Sequence, residues 1–214
     1  MQEWDFCFTF VPIKNTNIMT NNLDANDLLD FGIKLYKQRR YGEALLVIHG
    51  ISFGVKNHKL MDLRWGDLIH RNKVKDKIII NGKTIPLNET CKEITALIYF
   101  KIKRKIKLDS YVYVNKKNIL LTSKNNLSNN LKRYALKIYG KQYHNLTTFS
   151  MERAWALSVV EANNYSKECF TMLTQHMNKK SNKDTIEFLG CEPKTQTEIR
   201  HDYIDNLTLS LSLT

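Results

Sequence analysis

Between residues 73 and 88 the sequence changes its period. Elsewhere apolar residues recur three and four apart, whereas KVKDKIIING and KTIPLN are two short β-like runs that meet at Asn81-Gly82. Asn-Gly is the pair that most readily supplies two successive positive φ angles, so it predicts a tight antiparallel hairpin. A hairpin set into an otherwise helical chain gives the fold class: mainly α with a small antiparallel β-hairpin or sheet (α+β).

The helical segments follow from the 3.6-residue pattern. From Asp24 onward, Leu28, Leu29, Phe31, Leu35 and Tyr36 share one broad face, with Asp27 the expected N-cap. A second helix, from about Gly42 to Phe53, carries Leu45, Leu46, Ile48 and Ile51 and meets a breaker at Gly54. Asn57 is expected to cap a third that runs through KLMDLRW. Helix returns at 88–103 behind Asn88, with Ile94, Leu97 and Phe100 as its apolar face. SYVYV and ILLTS suggest a second, weaker hairpin, and helices are expected near 128–139, 150–163, 166–176, 181–188 and 195–208. With three prolines, eight glycines and no Ser/Gly linker, the chain divides into an arm (1–23), one main domain (24–190) and a C-terminal helix or tail (191–214).

Charge narrows the function. Lys plus Arg number 33 against 21 Asp plus Glu, a net +12, which favours a polyanionic partner. No apolar run reaches the roughly 18 residues of a membrane span, and the first ten residues lack the pattern of a signal peptide. The expectation is a cytoplasmic protein with no membrane partner. Its four cysteines, far apart and without CxxC or CxxH spacing, are expected to be reduced thiols used in packing. No metal or cofactor is expected.

Several segments, in order, resemble one family. FGVKNHKLMDLRWGDL resembles box I of the tyrosine recombinases (the phage integrase family), where a Gly-hydrophobic-Arg triplet precedes a helix ending in Leu-Arg/Lys-Trp and an acidic residue. The hairpin carrying Lys83 and IPLN resembles the family's β2–β3 hairpin with its closing Pro-Leu. SYVYVNKKN stands where the family has an Asp-x-Leu-Phe segment. SMERAWAL resembles box II, His-x-x-Arg, and LTQHMNKKSNKDTIEFLG resembles the segment in which a Gly/Asn-His pair precedes Thr-x-x-Tyr. QTEIRHDYIDNLTL is similar to the short helix that follows the tyrosine in many integrases. The resemblance covers roughly residues 25–210.

In that family a tyrosine attacks a DNA phosphate and leaves a 3′-phosphotyrosyl link. Two arginines hold the non-bridging oxygens, a hairpin lysine protonates the leaving oxygen, and histidines assist proton transfer. The resemblance therefore implies a catalytic domain that has decayed. The first arginine's position holds Lys56, with Lys59 in place of the acidic residue three places on; the box II histidine is Ser150; the nucleophile's position is Phe188. Lys83, Arg153 and His176 are kept. Lysine for arginine keeps the charge but loses the planar fork. Serine removes a group of pKa about 6.5, and phenylalanine removes the attacking atom. What remains is a phosphate-binding set: Lys56, Lys83, Arg153 and His176.

The residues alone also allow plainer readings. Lys83 fits a solvated hairpin lysine, Arg153 a structural salt bridge, His176 a partly buried core histidine, and Lys56, His58, Lys59 and Arg64 a basic helix face. Phe188 is expected to pack in the core. KQRR (37–40) and KIKRKIK (101–107) fit solvated faces or nonspecific phosphate contacts.

Three functions follow. The first is a non-catalytic protein that binds double-stranded DNA, a regulator or accessory factor of a phage or mobile element. The second is an active recombinase using a displaced tyrosine, Tyr203 or Tyr165, although Ile199 and Leu207 make Tyr203 an apolar-face residue. The third is an interaction module whose C-terminal tail mediates a homo-oligomer, or a hetero-oligomer with a recombinase.

Overall fold

A computed structural model describes residues 24–121, 124–140 and 146–195. The chain divides into two compact units, Met1–Trp155 and Ala156–Thr214. In chain order the elements are α1 (Ala25–Lys37), α2 (Tyr41–Phe53), α3 (Asn57–Leu60), α4 (Trp65–Leu68), β1 (Ile69–His70), β2 (Lys73–Val74), β3 (Lys77–Ile80), β4 (Lys83–Pro86), α5 (Glu89–Ile102), α6 (Lys124–Tyr139), α7 (Thr148–Ala162), α8 (Lys167–His176) and α9 (Asn182–Leu189). β1 pairs with β2 and β3 with β4, both antiparallel. The fold is mainly α with two small antiparallel strand pairs, as the change of period implied. Among the described residues no helix is long and apolar enough to cross a membrane.

The first unit is built around α2. YGEALLVIHGISF is apolar on nearly all sides, and every residue from Gly42 to Ile51 is buried, which marks a helix surrounded by protein. α1 lays Leu28, Phe31 and Leu35 into the same core. Its N-cap is Asp24, not Asp27: the Asp24 carboxylate accepts the Asp27 N–H at 2.7 Å, so the helix starts a turn early and buries Ala25. At the other end of α2, Gly54 takes φ 59, and a Cβ there would stand 2.2 Å from the Trp155 ring. Left-handed backbone and close approach both require glycine.

A buried polar cluster joins α2 to α5. His49, 0% exposed, stacks on Phe53 with ring centroids 4.7 Å apart. Its Nδ1 lies 2.8 Å from the Tyr113 hydroxyl and its Nε2 2.9 Å from Thr95 Oγ1. Burial pulls the imidazole pKa down to about 3, so the ring is neutral, one nitrogen donating and the other accepting. Burial pushes the Cys91 thiol up to about 12, against opposing hydrogen bonds to Ser52 and Thr95.

This cluster explains one correction. The apolar face expected on α5 was Ile94, Leu97 and Phe100, yet Leu97 is 55% and Phe100 51% exposed. The helix buries Cys91, Thr95, Ile98 and Tyr99 instead. Thr95 and Cys91 can go inside because His49 and Ser52 satisfy them, and the helix is rotated accordingly.

Other boundaries also moved. The helix expected from Asn57 through KLMDLRW is two short turns, α3 and α4, with Lys56 rather than Asn57 at the cap position of the first. Leu63 and Trp65 are buried while Arg64 faces out, its guanidinium 4.4 Å over the Tyr111 ring and donating to that hydroxyl and to the Asp109 carbonyl. The run 73–82 is not one strand. Lys75 turns back, its N–H to the Leu68 carbonyl and its ammonium 2.8 Å from the Gly66 carbonyl, so Lys73–Val74 pairs with Ile69–His70. Among the described residues the second hairpin is reduced to one bridge, Val114 to Leu120, and Tyr111 bridges to Arg64 instead.

The second unit packs α8 against α9. Phe170, Leu173, Met177 and Leu189 are buried, and the Thr174 and Thr185 hydroxyls meet at 2.6 Å between the helices. Ser166 and Ser181 cap α8 and α9 through the Cys169 and Asp184 N–H groups, and Gly190, φ 68, ends α9. Of the cysteines, Cys91 and Cys169 are buried thiols and Cys191 is half-buried.

Candidate nucleic-acid interface

Lys56 follows the α2–α3 turn. Gly54 reverses the chain against the ring of Trp155, and Lys56 is half-buried at the head of α3. Arg153 lies on α7 two residues before that tryptophan and is also half-buried. Within the first unit, then, the Gly54–Trp155 contact sets the Lys56 turn beside the α7 segment that carries Arg153.

Ser150 is engaged in helix capping. Thr147 Oγ1 accepts the Phe149 N–H at 3.2 Å, while Ser150 Oγ accepts the Thr147 N–H at 3.0 Å. That is a reciprocal cap in which Thr147 takes the N2 amide and serine stands in the usual place of the capping-box glutamate. It starts α7 at Thr148, ahead of the expected 150. Ser150 therefore anchors backbone and carries no titratable proton.

Lys83 opens β4 at the tip of the expected hairpin. Asn81 (φ 49) and Gly82 (φ 74) both take the left-handed region, the two-residue turn that Asn-Gly favours. Opposite residues of an antiparallel pair point the same way, so Lys83, opposite Ile80, projects on the side of the buried Ile78, Ile80 and Ile85. Lys77, Ile79 and Thr84 occupy the other side and are exposed.

Between the two hairpins, on that other side, is an open cleft of about 1190 Å³ whose lining includes His70, Arg71, Lys73, Lys75, Lys77 and Thr84. The sequence reading missed it, although the alternation Lys73-Val74-Lys75-Asp76-Lys77 was a visible signal. The basic runs divide as well. Arg40 of KQRR is structural, pairing with the buried Glu43 at 2.8 Å and lying 3.7 Å over the Tyr134 ring. Lys101, Lys103, Arg104, Lys105 and Lys107 are exposed.

In the second unit His176 ends α8, half-buried, and Phe188 lies one residue before the end of α9. Phe188 is half-buried rather than a core residue, and the Lys179 ammonium sits 3.8 Å from the centre of its ring. The ring's negative face holds that cation. Tyr165 is in the turn before α8, at φ 58, not on a helix. Burial, with Glu161 and Cys191 adding to it, raises its phenol pKa, which disfavours the nucleophilic phenolate. Tyr203 lies outside the described residues.

No family model matches the chain, and neither does any curated protein. Solved structures do. XerA recombinase superposes with a TM-score of 0.54 at 17% identity, over 92% of this chain and 66% of that one. The Tn1549 transposon integrase (residues 82–397), in complex with circular intermediate DNA, superposes with a TM-score of 0.54 at 14% identity, over 89% of this chain and 67% of that one. The chain thus spans about two thirds of the length of each. Its fold is that of a tyrosine-recombinase catalytic domain.

Proposed function

We propose that this chain is a non-catalytic DNA-binding protein that keeps a recombinase fold, a regulator or accessory factor of a phage or mobile element. The observation that carries the reading is Phe188: a phenyl ring offers no atom to attack phosphorus, and a lysine ammonium occupies its face. Ser150 supports it, since its oxygen takes a backbone N–H of its own helix cap. Lys56, Lys83, Arg153 and His176 each contact backbone phosphate in the bound state. Net charge +12 and the fold's likeness to a DNA-bound integrase support duplex DNA as the partner.

The test is a pool of random-sequence duplexes nicked so that cleavage traps a covalent complex. The wild-type chain retains duplex noncovalently, with affinity falling steeply as salt rises, and yields no 3′-linked adduct. An adduct abolished by Tyr203→Phe would establish the competing recombinase reading. No duplex binding at low salt, together with a concentration-dependent mass lost on deleting residues 191–214, would instead favour the docking-module reading.

A further inference from the structure

The cleft between the hairpins belongs to none of the positions that the resemblance assigns, and it faces away from Lys83. Lys73 on β2, Lys75 in the link that follows and Lys77 at the start of β3 all line it. Two acids, Asp67 and Asp76, also line the cleft. Asp67 accepts the Arg64 N–H at 2.8 Å, and Asp76 pairs with Lys92 at 3.0 Å. Lys75 is held by the Gly66 carbonyl. Among the described residues no carboxylate pairs with Arg71, Lys73 or Lys77, and all three are exposed.

The turn at the cleft's edge adds an independent observation. The β1–β2 turn places Arg71 at φ 46 and Asn72 at φ 62. The same chain meets the same two-residue geometry at 81–82 with the relaxed pair Asn-Gly. Arginine has a Cβ that clashes in the left-handed region, so choosing it there costs stability that a turn alone does not require. The strain is held in place from below: Asn72 Oδ1 accepts the Tyr99 hydroxyl at 3.2 Å, and the Tyr99 ring packs on Trp65. The result is an exposed arginine whose backbone is held in a left-handed turn at the edge of the cleft.

We propose that this cleft is a second phosphate-binding surface, in which Arg71, Lys73 and Lys77 hold a segment of duplex DNA backbone separate from the Lys83 side of the hairpin. Ile79, 70% exposed beside Lys77, offers apolar contact to deoxyribose. The inference rests on the DNA-binding reading above. A chain with contacts on both sides of one hairpin grips a duplex more widely, or touches two duplex segments.

Salt-dependent binding of a fluorescent duplex by the full chain tests it. Each phosphate contact contributes about 0.9 to the slope of log affinity against log salt, so Arg71→Ala/Lys73→Ala/Lys77→Ala should lower the slope by between about 2 and 3 and weaken binding at least tenfold near 0.1 M salt. Lys83→Ala should lower it by about 1, additively with the triple variant. Lys116→Ala/Lys117→Ala/Lys137→Ala removes the same charge from exposed positions outside the cleft, and the slope should stay within about 0.5 of wild type. Unchanged thermal unfolding confirms that the variants are folded. A cleft variant that binds with the wild-type slope, or a control that loses as much, overturns the second surface while the DNA-binding reading stands. Failure of the wild-type chain to bind any duplex overturns both.

Discussion

His49 makes the first unit's stability depend on pH in a calculable way. The ring is neutral inside the fold, with a pKa of about 3, and would titrate near 6.5 in the unfolded chain. Above pH 6.5 neither state takes the proton and the group contributes nothing to the balance. As pH falls below 6.5 only the unfolded chain takes it, so stability is lost progressively until the folded ring also titrates near pH 3. The proton that the unfolded state gains is worth about 2 kcal/mol at pH 5 and about 3 kcal/mol at pH 4, relative to pH 7. At pH 5 the folded value is too far below to matter, so the figure depends on the unfolded pKa alone. His49→Gln keeps a polar atom within reach of Thr95 Oγ1 and does not titrate. Urea unfolding at pH 7, 6 and 5 should therefore show the variant less stable than wild type at pH 7, with the gap narrowing by about 2 kcal/mol at pH 5. Parallel curves would refute the reasoning, because they would mean that His49 accepts its proton in the folded state.

Three further outcomes follow from local geometry. Gly42→Ala places a Cβ 2.0 Å from the Val114 carbonyl oxygen, and since backbone cannot step aside, denaturant unfolding should show a loss of about 3 kcal/mol or more. Ser150→Ala removes the reciprocal half of the α7 cap and should cost about 1 kcal/mol, which Ser150→Glu restores because glutamate fills the same role. Phe188→Tyr places a hydroxyl at the position that the resemblance assigns to the nucleophile, yet it should form no covalent DNA adduct on nicked duplexes, because Lys56 lacks the bidentate fork and Ser150 has no titratable proton to transfer. An adduct from that single variant would show that the rest of the site is intact.

Much of the secondary structure was legible because it depends on neighbours in sequence. Asn81-Gly82 forms the expected turn whatever surrounds it, Gly54 stops α2, and Asn88 caps α5 through the Cys91 N–H. The uniformly apolar run of α2 marked a core helix before any partner was known. At the candidate site, the sequence shows which residues stand at the positions that the resemblance assigns: Lys56, Ser150 and Phe188.

What periodicity missed has a common cause. Counting apolar residues assigned Leu97 and Phe100 to the α5 core face, but Thr95 is buried there because His49, 46 residues away, supplies its hydrogen bond. The lysine alternation at 73–77 looked like one strand, and only the Leu68 and Gly66 carbonyls divide it and open a cleft beside it. Phe188 looked like core and instead lies under the Lys179 ammonium. The sequence by itself settled which groups exist and where the Asn81-Gly82 turn falls. Tertiary structure decided which polar groups go inside and which cations share a surface, because those choices depend on partners brought from far along the chain.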